Sequence, residues 1–211
     1  VETLPMNPET LNQLGRADLN QSLTSKSLKT GLSLNDIVLF QSTESWMRRH
    51  SIMPTQWNLS VEEAQRIVAA GVRISIYNTP ASCLPLAMPI EGGLKHLIVV
   101  DPALLDSGKF APRHMIASFL HEIGHAVNPP IKGSFGWDYM MHLNQVNEDE
   151  IFADDYARHC GNGIDFAEAL DLMRQFEPRS FDTKAVEYRI ERIRSNAQVY
   201  LNLLPIADAP N

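Results

Sequence analysis

The stretch SFLHEIGHAVN, residues 118–128, contains two histidines four positions apart, with a glutamate directly after the first. On an α-helix, residues i and i+4 lie on one face one turn apart, so His121 and His125 would present two imidazoles to one cation. Glu122 would lie about 100° around the helix from His121, where its carboxylate could accept a proton from water. The spacing therefore predicts a metal-dependent hydrolytic site, with two histidine ligands and Glu122 as the general base.

The alternative interpretation is an exposed helix face that happens to be polar. The neighbouring residues favour burial instead, because most are apolar: Ile116, Phe119, Leu120, Ile123, Ala126 and Val127. Buried histidine and glutamate side chains need polar partners. Gly124, inside the same helix, is about 1 kcal/mol less favourable than alanine. We therefore expect another backbone to approach closely at this glycine.

A third ligand is expected downstream, in the acidic stretch NEDEIFADDYA. Glu150 and Asp154 are four positions apart and share a helical face with two small residues, Ala153 and Ala157. Small residues on that face would let the helix pack tightly against Gly124. Glu150 could then reach the metal, while Asp154 accepts the free N–H of a ligand histidine and fixes its tautomer.

Two alternatives stay open for this stretch. His142, in the aromatic loop before it, is a competing third ligand. An acidic helix start is also a common solvated first turn, favoured by the helix dipole. That interpretation suits Glu148 and Asp149 better than the face described above. The nitrogen-rich ligand set favours Zn²⁺ as the cation, and an open coordination position on zinc lowers the pKa of water to roughly 7.

HEIGH followed by EIFAD resembles the signature of the gluzincin metallopeptidases, which is H-E-x-x-H with a later E-x-x-x-D helix. EIFADDYA is similar to the E-x-x-A-D-x-x-A helix of the small minimal-gluzincin proteases. The resemblance covers residues 72–176 and implies a compact relative, because the connection between the two motifs is short. The roles that it implies are zinc ligands at His121, His125 and Glu150, a general base at Glu122, and a partner of a ligand histidine at Asp154.

The same resemblance implies a donor that stabilises the oxyanion formed during peptide hydrolysis, usually a tyrosine, histidine or arginine near the metal. The candidates are Tyr139, His142 and Tyr156. Each could equally be a packing or surface residue. The loop GSFGWDYMMH, which contains the first two, is interpreted either as a lid with glycine hinges or as a packed loop.

The elements that position these residues are predicted from periodicity, caps and chain breakers. Helices are predicted at 33–50, 60–71, 112–127, 146–160, 164–176 and 183–203. Strands are predicted at 72–78 and 95–101, with loops over 79–93 and 131–145. Ser60 is predicted to cap its helix, Glu63 to complete a capping box and Gly71 to end it. The basic run RIERIR is interpreted as a solvated helix face.

These elements predict an α+β protein that is predominantly helical overall and zincin-like, with a small sheet beside the active-site helix. Residues 1–70 are expected to form a mostly helical N-terminal segment that regulates the protein or binds a partner. Residues 71–204 are expected to form the zincin-like metallopeptidase domain, and 205–211 a flexible tail.

Charge, hydropathy and cysteine content exclude some classes of function and indicate a compartment. The net charge is −7 and the acids are spread along the chain, which argues against nucleic-acid binding. No apolar run approaches the length of a membrane span. Cys83 and Cys160 are too few for a disulfide framework, so we expect reduced thiols and a cytoplasmic protein, although a signal removed before Val1 would not be visible.

The sequence therefore predicts a zinc-dependent metallopeptidase, a hydrolase of peptide bonds that acts on a restricted protein or peptide substrate. The alternative is a zinc-stabilised interaction module with a zincin-like fold and no catalytic activity. A third hypothesis is a dedicated processing protease that cleaves one partner protein and leaves generic peptides intact.

Overall fold

The computed structural model describes residues 33–77, 86–89, 96–128, 143–176, 183–195 and 201. Residues 1–32 and the predicted tail 205–211 lie outside this part of the chain, so the predictions for them stay predictions. The helices of the described ranges are α1 (Gln41–Arg49), α2 (Val61–Ala69), α3 (Ala103–Asp106), α4 (Pro112–Val127), α5 (Leu143–His159), α6 (Gly163–Phe176) and α7 (Thr183–Arg194). Helices predominate beside one small sheet, which confirms the α+β class.

The sheet consists of β1 (Val72–Ile76), β2 (Leu86–Pro89) and β3 (His96–Val100), in the order β1-β3-β2. β1 is parallel to β3 and β2 is antiparallel to it. The prediction of a loop throughout 79–93 is therefore wrong at β2. The prolines of this stretch favour a loop locally, but the strand lies at the sheet edge, where proline is tolerated.

The observed bounds of three helices differ from the predicted ones. The predicted helix 33–50 is interrupted, because Leu34–Ile37 forms a 3₁₀ turn and Val38 then bridges to Ile74 of β1. α5 begins at Leu143, inside the predicted loop 131–145. α7 ends at Arg194, and Ser195 already lies in a turn, whereas the prediction ran to 203.

The capping predictions for α2 are confirmed in part. Ser60 Oγ accepts a hydrogen bond from the Glu63 backbone N–H at 3.1 Å. Gly71 ends the segment with φ 72°, a left-handed conformation that glycine adopts readily. The Glu63 carboxylate does not serve the cap, because it is buried against α5 and accepts a hydrogen bond from Tyr156.

One buried core includes residues on both sides of residue 70. Trp57, which follows the short turn Pro54–Gln56, stacks on Phe119 of α4 with ring centroids 5.7 Å apart. Its indole N–H donates to the Ile52 carbonyl at 2.9 Å, so the ring is fixed at both its apolar and its polar end. The helix with the HEIGH motif is therefore held in place by the segment that precedes the sheet.

None of the helices in the described ranges combines the length and the apolarity that a membrane crossing requires.

Candidate metal centre

α4 carries the HEIGH motif and is buried on most of its surface. Pro112 occupies its first turn, where a missing N–H costs nothing. Twelve of its sixteen residues are buried, including His121 and Glu122. The prediction that this helix is enclosed on nearly all sides is confirmed, so its polar side chains must find partners inside the protein.

α5 crosses α4 at Gly124. A Cβ at this position would lie 2.7 Å from Ala153 Cα, 3.2 Å from Ala153 Cβ and 3.1 Å from Tyr156 Cβ. Real Cβ atoms do not approach a backbone atom so closely, so only glycine fits here. The predicted close approach of a second backbone is confirmed, and it places Glu150 of α5 beside the two histidines of α4.

The structure brings the side chains of His121, His125 and Glu150 together. Their nearest ligand atoms all lie within 4.8 Å of one another. The two Nε2 atoms are 3.2 Å apart. Glu150 Oε2 lies 3.3 Å from His121 Nε2, and Glu150 Oε1 lies 3.6 Å from His125 Nε2.

These separations fit a zinc ion. Two ligands about 2.0–2.1 Å from a tetrahedral centre are about 3.3–3.4 Å apart, close to the spacing of the three side chains. The donor chemistry fits as well. If each Nδ1 faces a carboxylate as an N–H, both Nε2 atoms are acceptors that face each other and the Glu150 carboxylate. Three converging acceptors repel one another unless a cation or a proton lies between them.

Asp149 holds the second histidine. Its Oδ2 lies 2.9 Å from His125 Nδ1, and its Oδ1 accepts a hydrogen bond from Asn128 Nδ2 at 2.6 Å. A carboxylate on Nδ1 fixes the imidazole tautomer and leaves Nε2 free to act as a ligand. Asp149 is therefore not the solvated helix-start residue that the sequence suggested, whereas the neighbouring Glu148 is exposed.

Asp154 lies beside the first histidine. Its Oδ1 is 3.1 Å from His121 Nδ1, although the two groups are not aligned as a hydrogen bond. Within the described ranges no other group bonds this buried nitrogen. The ring also stacks on Phe166 of α6, with centroids 4.3 Å apart and planes at 15°. Electrostatic attraction by Asp154 at one edge and stacking on Phe166 at one face thus restrict the orientation of the His121 imidazole.

Arg189 of α7 completes the charge arrangement. Its guanidinium contacts both Glu150 and Asp154 and lies over the Phe166 ring, with Cζ 5.9 Å from the ring centroid. Burial raises the pKa of each carboxylate, but the charge of Arg189 and the contacts with the histidines outweigh it. Both pKa values therefore lie below their usual range, and both groups are ionised.

Neighbouring carboxylates also raise the pKa values of the two histidines. Burial lowers the pKa of His121, but contact with Asp154 and Glu150 more than offsets this, so the net shift is upward. Burial also acts on His125, whose pKa is nevertheless raised to about 9 by Asp149, Glu150 and Glu122. The centre thus attracts positive charge strongly, whether that charge is a proton or a metal ion.

Glu122, the predicted base, is buried at 6% exposure, next to His121 along α4. Its charge contributes to the raised pKa values of both His125 and Arg189, after the effects of burial and of their closer partners. Its carboxylate is therefore within electrostatic reach of the cluster, as expected from its position beside the candidate ligand histidines in the motif.

The predicted oxyanion donors are placed differently. The Tyr156 hydroxyl donates its only proton to Glu63 Oε2 at 2.7 Å, and the ring is fully buried. This arrangement does not offer Tyr156 to a substrate. Tyr139 and His142 lie outside the described residues, so their roles as oxyanion donors and the role of His142 as an alternative ligand stay predictions.

Sequence reasoning missed four residues of the centre: Asp149, Asn128, Phe166 and Arg189. The interpretation of RIERIR as a solvated face is wrong for its first and fourth residues, because Arg189 and Arg192 are mostly buried in ion pairs with α5.

Comparison with models of known protein families, with characterised proteins and with solved structures finds no match to this chain.

Proposed function

We propose that this protein is a zinc-dependent metallopeptidase with a compact, zincin-like arrangement of the gluzincin type. The observation that carries the proposal is the convergence of His121 Nε2, His125 Nε2 and the Glu150 carboxylate at separations of 3.2, 3.3 and 3.6 Å. These distances suit a tetrahedral ion, and the ligand set leaves its fourth position to a non-protein group.

Zinc in such a site would act as a Lewis acid toward a peptide carbonyl and toward water. Side chains of the protein would bind and transfer the protons of the reaction. Glu122 accepts the proton of the attacking water and passes it to the leaving nitrogen, the role of a general base followed by a general acid. Asp149 keeps His125 in the tautomer that presents Nε2. The Asp154 carboxylate, 3.1 Å from His121 Nδ1, favours the same tautomer of His121 by electrostatic attraction.

The metal requirement is tested by measuring moles of zinc per mole of purified protein for the wild type, E150A and E148A. Glu148 provides a matched control, since it lies on the same helix but is exposed. We expect about one equivalent in the wild type and in E148A, and a large loss in E150A. If E150A retains zinc, His142 becomes the expected third ligand. If the wild type contains no zinc even after reconstitution, the proposal is wrong.

The catalytic step is tested with E122Q. This variant should keep its zinc, because Glu122 is not a ligand, and should lose cleavage of a complex peptide library read by mass spectrometry. Removal of zinc with a chelator should abolish cleavage by the wild type, and added zinc should restore it. If the zinc-loaded wild type and E122Q give identical peptide profiles, the result favours a zinc-stabilised interaction module or a protease for one partner protein only.

A further inference from the structure

Arg189 reaches from α7 to two carboxylates of α5. Its Nε donates to Asp154 Oδ2 at 2.9 Å, and its Nη2 donates to Asp154 Oδ1 at 2.7 Å. This forked pair fixes the plane of the guanidinium, because both N–H bonds must stay parallel to reach both oxygens. The remaining edge then points in a defined direction, and Nη1 lies 2.8 Å from Glu150 Oε2.

Glu150 needs such a restraint more than the histidines do. Three rotatable side-chain bonds separate the Glu150 carboxylate from the backbone. Each imidazole is separated by two, and a neighbouring group restricts it further. The oxygen that Arg189 contacts, Oε2, is the one that lies 3.3 Å from His121 Nε2. Without Arg189, the carboxylates of Glu150 and Asp154 would also repel each other in a largely buried site.

We propose that Arg189 is a positioning residue of the metal centre. It orients the Glu150 carboxylate toward the two histidines and so increases the affinity for zinc, which makes α7 a functional part of the site. This inference rests on the metal site of the proposed function.

Arg192 supplies an internal comparison. It lies three residues further along α7 and forms its own forked pair with α5, from Nη1 and Nη2 to Asp155 Oδ1 and Oδ2 at 2.7 and 2.6 Å. Both arginines therefore join the same two helices through the same kind of bond. Arg189 differs in that it also contacts Glu150, a ligand of the proposed site. Asp155, the partner of Arg192, also accepts a hydrogen bond from Arg158 at 3.0 Å.

The experiment compares wild type, R189K and R192K as full 211-residue chains. Zinc affinity is measured by competition with a chromophoric chelator, and thermal unfolding is recorded on the zinc-free proteins. Lysine keeps the charge but cannot bridge two carboxylates in a fixed plane. We expect R189K to bind zinc about 10- to 100-fold more weakly, as for other groups that orient ligands, and R192K to bind like the wild type. Both variants should show a decrease in Tm, smaller in R192K because Asp155 keeps its hydrogen bond from Arg158.

Each other outcome overturns the inference. Equal affinity in wild type and R189K would remove the positioning role but leave the zinc site intact. Equal losses in R189K and R192K would reduce Arg189 to general packing of α7. A wild type that binds no zinc would defeat both the proposed function and this inference. If R189K does not fold, R189M and R192M allow the same comparison, and tighter binding in R189M would mean that the charge of Arg189 opposes the metal.

Discussion

Gly124 and Ala153 bring the backbones of α4 and α5 into direct contact: a Cβ on Gly124 would lie 2.7 Å from Ala153 Cα. Because two of the proposed ligands come from α4 and the third from α5, this contact determines how far apart the ligands lie. The glycine that weakens α4 as an isolated helix is therefore what allows the centre to assemble.

Replacement of Gly124 by alanine should force the two helices apart. We expect G124A to lower the free energy of unfolding by about 1–3 kcal/mol, the usual effect of overpacking, and to weaken zinc binding. Urea denaturation of the zinc-free protein measures the first effect. The clash is with a backbone atom, so adding A153G should recover little stability. A more stable G124A, as helix propensity alone predicts, would contradict the observed contact.

The hydrogen bond between Asp149 and His125 should control zinc affinity. D149N keeps the size of the side chain but replaces a charged acceptor with a neutral amide, and we expect about 10- to 100-fold weaker binding of zinc. The control is E148Q, the same type of change at the exposed neighbouring position. Unchanged affinity in D149N, measured by chelator competition, would show that the orientation of His125 does not depend on this carboxylate.

The buried pair of Tyr156 and Glu63 should stabilise the fold rather than take part in catalysis. Removal of the hydroxyl in Y156F deprives a carboxylate at 5% exposure of a 2.7 Å hydrogen bond. We expect a loss of about 1.5–3 kcal/mol in urea unfolding, as for hydrogen bonds to charged groups. Y188F provides the control, because Tyr188 is 57% exposed. A Y156F protein with full stability but no cleavage of peptides would restore Tyr156 as an oxyanion donor.

Cys160 should be unreactive at neutral pH. Burial, assisted by the charge of Glu63, raises the pKa of its thiol to about 12. Because the thiolate is the nucleophile, reaction becomes fast only as the pH rises toward that value, and near pH 8 it should be roughly a thousandfold slower than for an unperturbed thiol. Iodoacetamide labelling of C83A, followed by mass spectrometry from pH 7 to 10, measures this. Labelling in urea is the reference, and equal rates in folded and unfolded protein would refute the shift.

Local patterns were sufficient to predict much of the fold and the proposed ligands. α4 is marked by Pro112 at its start, and the close approach of another helix follows from Gly124. The meeting of Glu150 with the histidines could be predicted because Glu150 shares a helix face with the small residues Ala153 and Ala157, which allow close packing against Gly124. The confirmed Ser60 cap likewise depends on residues only three positions apart.

The contacts that were missed join distant parts of the chain. Arg189 and Asp154 are 35 positions apart, and nothing in either local sequence identifies the other as its partner. β2 was missed because its residues form a strand only when β3 supplies the hydrogen-bonding partners. The prolines of that stretch favour a loop locally, but pairing with β3 outweighs this preference.

Arg189 belongs to the last helix that the structure describes, so it leaves the ribosome well after the residues that it orients. While the chain is being synthesised, α4 and α5 become available first, and the carboxylates of Glu150 and Asp154 then have no guanidinium between them. Docking of α7 supplies that charge and, under the proposed function, orients the third zinc ligand. A nascent chain would therefore carry HEIGH and EIFAD without a finished centre, and the site would mature only after translation has passed residue 189.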